Sequence, residues 1–220
     1  ALFTGEKKLR EIVSVGGDAH YFEDTMTEAQ VKVALDSRRP LEVVRALKYL
    51  LALLSKGVDV SNFFPEVVKN VVGHSVEVKK LVYMFLVHYA DYNMTCREMA
   101  LLSVNSFQND LKTGNQLIRG LALRVLSSIR LKDIVSIQLY SIRACVDDSS
   151  PYVRRIAATA ICKVHGTGLS SPEDTEKLLT RLLLDNSTLV LGSAVVAFNE
   201  VFPQRFDLIH PIFRKLCFLL

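Results

Sequence analysis

A short phrase recurs four times in this chain: a small polar residue, two variable residues, then a Val or Ile that opens an apolar helical stripe. It reads Ser75-x-x-Val78, Asn115-x-x-Ile118, Ser150-x-x-Val153 and Ser187-x-x-Val190, with anchors 40, 35 and 37 residues apart. An irregular period of that length marks stacked helix pairs, in which each unit buries its apolar face only against its neighbours. Such an array offers a long surface and no enclosed pocket. The phrase therefore inclines the chain toward binding and away from catalysis.

Each anchor is followed four and eight residues later by further small or apolar side chains: Val78, Val82, Leu86; Ile118, Ala122, Leu126; Val153, Ala157, Ile161; and Val190, Ala194, Phe198. That spacing puts all three on one helical face, and the small middle residue lets a neighbouring helix approach closely. The leading polar residue is expected to act as an N-cap, its side chain accepting from a first-turn N–H. Pro151, next to Ser150, suits the first helical position. Partner helices are expected over residues 63–72, 96–111, 131–146 and 173–184. The last of these starts behind Ser171-Pro172-Glu173-Asp174, which reads as a capping box.

Upstream, residues 40–55 read as the second helix of an earlier pair, closed by Lys56-Gly57, although Leu41 stands where the polar cap would be. Residues 1–27, with Gly16-Gly17 and an irregular charged stretch, read as an N-terminal arm leading into a helix near 28–35. Residues 28–220 form the array. Its final stretch, 206–220, has the pattern of a first-of-pair helix without a following cap. Because an array needs a polar terminal unit, the reading is a longer solenoid that continues beyond Leu220, or a last face covered by a partner.

Composition narrows the class further. Half of the 220 residues are hydrophobic, with only 10 Gly and 6 Pro, so a large core and few breaks are expected. The longest apolar run, 81–87, stops at His88, short of the roughly 18 to 20 residues that a membrane helix requires. Glu6, Lys7, Lys8, Arg10 and Glu11 interrupt the start, which argues against a secretory signal. Cys96, Cys145, Cys162 and Cys217 are scattered without a C-x-x-C pair, the usage of a reduced, cytosolic chain. A net charge of +4 from 27 basic and 23 acidic residues is too weak and too mixed to signal nucleic-acid binding, and Trp is absent.

Two constellations carry charge or metal-ligand chemistry. Lys79, Arg119 and Arg154 directly follow an anchor, and Asp148 and Asp185 precede one by five residues. Two readings exist, a ladder of contacts between successive repeats and a basic stripe for a ligand. The ladder is the expected one, since Asp148-x4-Val153-Arg154 is typical of HEAT-type repeats, and Arg154 should then matter more to stability than to binding. Cys162 and His165 share a helical face but have no second pair, whereas a structural zinc site takes four ligands; a core thiol and a helix-end imidazole are expected instead. His20, His74, His88 and His210 are isolated. No G-x-S-x-G, Walker or H-E-x-x-H pattern occurs, and Asp147-Asp148 and Glu173-Asp174 sit at helix starts, where the dipole explains them. No catalytic, metal or cofactor set is expected.

The words between the anchors resemble a known family, the beta subunits (beta-adaptins) of heterotetrameric clathrin-type adaptor complexes. The resemblance rests on residues 62–90 (NFFPEVVKNVVGHSVEVKKLVYMFLVHYA), 99–107 (MALLSVNSF), 114–130 (GNQLIRGLALRVLSSIR) and 150–165 (SPYVRRIAATAICKVH). Residues 198–217 (FNEVFPQRFDLIHPIFRKLC) are most similar to the branch belonging to adaptor-protein complex 3.

The resemblance implies an all-α, HEAT/armadillo-like α-solenoid of stacked antiparallel helix pairs, the trunk of a non-enzymatic coat scaffold. Its partners would be the medium (mu), small (sigma) and other large adaptin chains. It would sit in the cytoplasm, peripherally on Golgi and endosomal membranes and coated vesicles, sorting cargo toward lysosome-related organelles. It further implies that Leu101 and Val104 meet a GTP-bound Arf-type GTPase. Tyr21 and Phe22 match an aromatic pair of an N-terminal arm that plugs a cargo pocket in some relatives, although Glu23, Asp24, Thr25 and Met26 replace the basic run that follows it there. The alternative is a helical-repeat nucleic-acid-binding or nuclear-transport module.

Overall fold

The computed structural model describes residues 26–73 and 75–218, and every regular element among them is helical. In chain order these are α1 (Glu28–Leu35), α2 (Pro40–Ser55), α3 (Phe64–Lys69), α4 (Val76–Tyr89), α5 (Met94–Leu102), α6 (Val104–Asp110), α7 (Gln116–Leu126), α8 (Val135–Val146), α9 (Pro151–His165), α10 (Pro172–Leu183), α11 (Thr188–Val201) and α12 (Phe213–Phe218). Short 3-10 turns flank α3 and precede α8 and α12. The chain divides within α4 into two compact units, residues 1–86 and 87–220.

In the first unit α1 opens with a capping box: the Thr27 hydroxyl accepts from the Gln30 amide while the Gln30 side chain accepts from the Thr27 amide. Pro40 occupies the first turn of α2, where its missing N–H costs nothing. The far end of α2 closes on Gly57 at φ +78, with the Gly57 amide donating to Leu54 O and the Val58 amide to Leu53 O. That pairing satisfies the last carbonyls and requires a left-handed residue. Leu47, Leu50, Phe64, Val67, Tyr83 and Phe85 are buried, and Phe64 and Phe85 stack with ring centroids 6.3 Å apart. Lys79 is buried too, its ammonium donating to Val71 O at 3.1 Å.

The second unit is a two-layer stack. Helices α7, α9 and α11 pack successively on one another, α8 packs on α10, and the pairs α8–α9 and α10–α11 join the layers. The stripes read from the sequence form the seam: Ala122, Ala157 and Ala194 are fully buried, as are Leu126, Val153 and Val190. Small residues there allow the close packing that large ones would block.

Three expectations need correction. The helix expected over 206–220 is not continuous: among its described residues, 206–218, Phe206–Leu208 and His210–Ile212 are 3-10 turns, Pro211 supplies no N–H, and only α12 is α-helical. Residues 96–111 are split at Ser103, whose hydroxyl donates to Met99 O and which ends α5 as it starts α6. Among the caps, Asn115 accepts from Leu117 N at 2.9 Å, but the Ser150, Ser187 and Ser171 side chains cap nothing. No capping box forms at α10; the Thr175 hydroxyl donates to Ser171 O instead.

Candidate functional site

The loops entering α9 and α11 and the first turns of α7 and α9 carry four largely shielded charges, Asp148 and Asp185 in the loops and Arg119 and Arg154 on the helices. The Arg119 guanidinium grips Asp148 through two parallel bonds, Nε to Oδ2 at 2.8 Å and Nη2 to Oδ1 at 2.9 Å, while Nη1 donates to Thr113 O and Gly114 O. One repeat on, Arg154 does the same to Asp185 at 2.6 and 3.1 Å and donates to Asp148 O and Ser149 O. Each arginine thus closes its own loop and clamps the next. Each aspartate also accepts the amide two residues on, Ser150 N or Ser187 N, both at 2.8 Å. This explains the unused serine caps: the carboxylate has fixed the turn, and the Ser150 hydroxyl is free to donate to Gln116 Oε1 across the repeat.

The ladder stops where the sequence says it should. After Val190 stands Leu191 and no arginine, and the Asp185 carbonyl is taken by Lys215 Nζ at 2.6 Å from α12. Burial pushes the Asp148 and Asp185 carboxyls up. The arginine hydrogen bonds, the serine amides and the neighbouring guanidinium charges together outweigh that push and leave both pKa values below the ordinary range. Arg119 and Arg154 shift upward, first through those same hydrogen bonds. Of the two readings of these residues, the structure supports the internal ladder: their side chains are 10–19% exposed and already saturated with partners.

The remaining candidates fall elsewhere. Leu101 is half-buried on α5, and Val104, the first residue of α6, is 5% exposed. Met94 and Leu102 lie on the same outer side of α5 as Leu101 and are 68% and 78% exposed. Tyr21 and Phe22 lie outside the described residues. The Cys162 thiol points to Ala158 O, and burial, followed by the nearby Glu200, raises its pKa to about 12, far from a thiolate ligand. The His165 ring lies 5.8 Å from that of Phe202. Among the described residues no group of three or more His, Cys, Asp or Glu side chains could hold a metal, and no helix is long and apolar enough to cross a membrane.

One structural polar residue escaped the sequence reading. Gln138, almost fully buried in α8, donates from Nε2 to Leu126 O and Ile129 O and so closes the C-terminal end of α7. Only its place in an otherwise apolar stripe could have betrayed it.

The family model for the adaptin N terminal region matches residues 23–220. The chain is 48% identical over 205 residues to the AP-3 complex subunit beta of Dictyostelium discoideum, covering 92% of this chain and 18% of that protein. To the human AP-3 complex subunit beta-1 it is 43% identical over 216 residues, covering 98% and 20%. It therefore spans about a fifth of the length of these curated relatives. In structure it resembles a homology model of the full-length AP-3 complex in an intermediate open conformation, with a TM-score of 0.67 and 29% identity over 91% of this chain and 32% of that one. A designed armadillo repeat protein in complex with the peptide (KR)4 shares the fold at a TM-score of 0.53 and 19% identity, over 79% of this chain and 82% of that one.

Proposed function

The chain belongs to the adaptin N-terminal region family, and from that premise we propose that it is a trunk segment of the beta subunit of an AP-3-type adaptor complex. In this role it is a scaffold and not an enzyme, holding the medium, small and other large adaptin chains in a coat on Golgi and endosomal membranes that sorts cargo toward lysosome-related organelles. The observation that carries the reading is the identity of 43–48% to AP-3 beta subunits over nearly the whole chain. Physically, the ladder suits it. Charges that clamp repeat to repeat stiffen a surface made for broad protein contact and leave its faces free for partners. Family membership favours this role over a nucleic-acid or nuclear-transport module.

Within the same reading an Arf-type GTPase docks on the outer side of α5 at Leu101, with Met94 and Leu102 beside it; Val104, the other contact position that the resemblance carries over, is 5% exposed and offers the GTPase little surface. Three apolar side chains at helical spacing, two of them largely exposed, form a patch of the kind that partner surfaces cover.

Co-expression with the AP-3 medium chain tests the scaffold role: the two should copurify, and separation on the column counts against it. A Leu101→Ser/Leu102→Glu variant, which spares buried Val104, tests the GTPase surface. It should keep its helical circular dichroism and lose capture by the GTP-loaded GTPase. Unchanged capture removes that contact and leaves the scaffold role standing.

A further inference from the structure

Helices α7 and α9 enclose a groove of about 250 Å³, lined by Arg124 and Ser127 on one side and by Tyr152, Arg155, Thr159 and Lys163 on the other. The four α9 residues are spaced three, four and four apart, a single stripe of that helix. No carboxylate lines the groove. Six of the ten arginines of the unit that contains it, Arg97, Arg119, Arg143, Arg154, Arg181 and Arg205, make ion pairs with Asp or Glu. Arg124 and Arg155 have no carboxylate partner among the described residues.

The groove is also built and not merely left over. Gly120 lets α9 come so close that a Cβ there would lie 2.6 Å from Tyr152 Cε1 and from Ile156 Cδ1. The Tyr152 ring is thereby seated against the α7 backbone and closes one end. At the other end the Lys163 ammonium is held by the Ser128 hydroxyl at 2.7 Å. Desolvation, and after it the Arg124 charge, lower the Lys163 pKa, the mark of cations crowded without a counterion.

We propose that this groove binds a small polyphosphate, a compact ligand with two or more phosphate groups, either as a free solute or as the headgroup of a phosphorylated membrane lipid. Three cationic groups and the Tyr152 and Thr159 hydroxyls supply the donors, the Ser127 hydroxyl being already given to Arg124 O, and no carboxylate competes with them. Guanidinium forks match phosphate oxygens in pairs, and multiple phosphates neutralise all three cations within so small a volume. A single glutamate of an acidic peptide would neutralise one and leave the others facing each other. The site shares no residue with the ladder or with α5, so it stands apart from the scaffold reading.

The test is titration calorimetry of the purified 220-residue chain with inositol hexakisphosphate, beside sedimentation with phosphatidylcholine vesicles doped with phosphatidylinositol bisphosphate. Arg124→Gln/Arg155→Gln should weaken hexakisphosphate binding at least about tenfold, the effect of one lost charge-assisted bond. Arg181→Gln, a paired arginine elsewhere, should leave it unchanged, with the same circular dichroism for all three proteins. Vesicle sedimentation that hexakisphosphate reverses assigns the site to a lipid headgroup; binding of the free ligand without sedimentation assigns it to a solute. Either supports the proposal. Equal affinity of wild type and double variant overturns it, as does a polyglutamate peptide that binds as tightly as hexakisphosphate.

Discussion

The ladder and the α7–α9 groove use the same residue type on the same helices to opposite ends. Arg154 and Arg155 are neighbours in sequence, yet one is 19% exposed, clamped on Asp185 and two loop carbonyls, and the other faces a groove with no acid in it. A turn of about 100° around α9 separates them. On one side every charge has its partner and the arginine is part of the fold. On the other, the fold tolerates three cations together without such partners. Saturation by partners, more than residue identity, divides what holds the stack from what is available to a ligand.

Breaking the ladder should cost the most. Asp148 accepts two bonds from Arg119 and one from the Ser150 amide, and its carbonyl takes Arg154. In Asp148→Ala the Arg119 charge loses its partner while mostly shielded from water, so the loss should be about 3 kcal/mol of unfolding free energy in urea titration. Arg155→Ala beside it should change stability by less than about 0.5 kcal/mol, as an exposed residue without a structural partner does. If the two variants destabilise equally, the contrast between ladder and groove is wrong.

Acid sharpens the same contrast. The Asp148 and Asp185 carboxyls have folded pKa values below their unfolded ones. Their stabilisation is therefore fully present above the unfolded value, near pH 4, and is lost as pH falls through the folded values. Urea midpoints measured downward from pH 5 should drop more steeply for the wild type than for Asp148→Asn, which has surrendered that contribution already. Parallel curves would mean that the carboxylates are not held by the arginines.

The ladder was legible because its spacing is local and repeated: an aspartate five before the anchor, an arginine one after. The bounds of α1 and α2 followed from Pro40, Lys56-Gly57 and apolar periodicity in the same way. The groove was not legible. Arg124 and Arg155 lie 31 residues apart, and only the stacking of α7 on α9 brings them together. Gly120 was the one available signal, a glycine inside a helical stripe. The broken end at 206–218 was missed for a different reason: an apolar pattern was read as a helix although Pro211 sits in its middle, and Phe206, Phe213 and Phe218 remain largely exposed.

Gly120 gives a smaller effect that reaches the groove without touching its charges. In Gly120→Ala the added methyl meets the Tyr152 ring and the end of Ile156, which costs about 1–3 kcal/mol of overpacking. Helix propensity returns up to about 1 kcal/mol of that. A net loss of about 1 kcal/mol in the urea titration is expected, together with weaker hexakisphosphate binding, because Tyr152 must move. Lost affinity with unchanged charge would show that the shape of the groove, and not only its potential, holds the ligand.

The smallest effect tests what saturation means. Arg181 and Asp147 form an ion pair between α10 and the loop before α9 at 2.8 Å, bridging 34 residues much as Arg154 and Asp185 bridge 31. The chemistry is the same and the contact is as short. The exposed pair, however, leaves both side chains about two-thirds in water, at 65% and 63%, and Arg181 makes a single bond with no loop carbonyl to close. Water screens such a pair, and two long side chains lose rotamer freedom to hold it. A double-mutant cycle of Arg181→Ala and Asp147→Ala should therefore yield a coupling of no more than about 0.5 kcal/mol, falling further with salt. The same cycle on Arg154 and Asp185 should give several times that value and respond little to salt. Equal couplings would locate the strength of the ladder in charge alone; unequal ones locate it in the desolvated loop that the guanidinium closes while it clamps the next repeat.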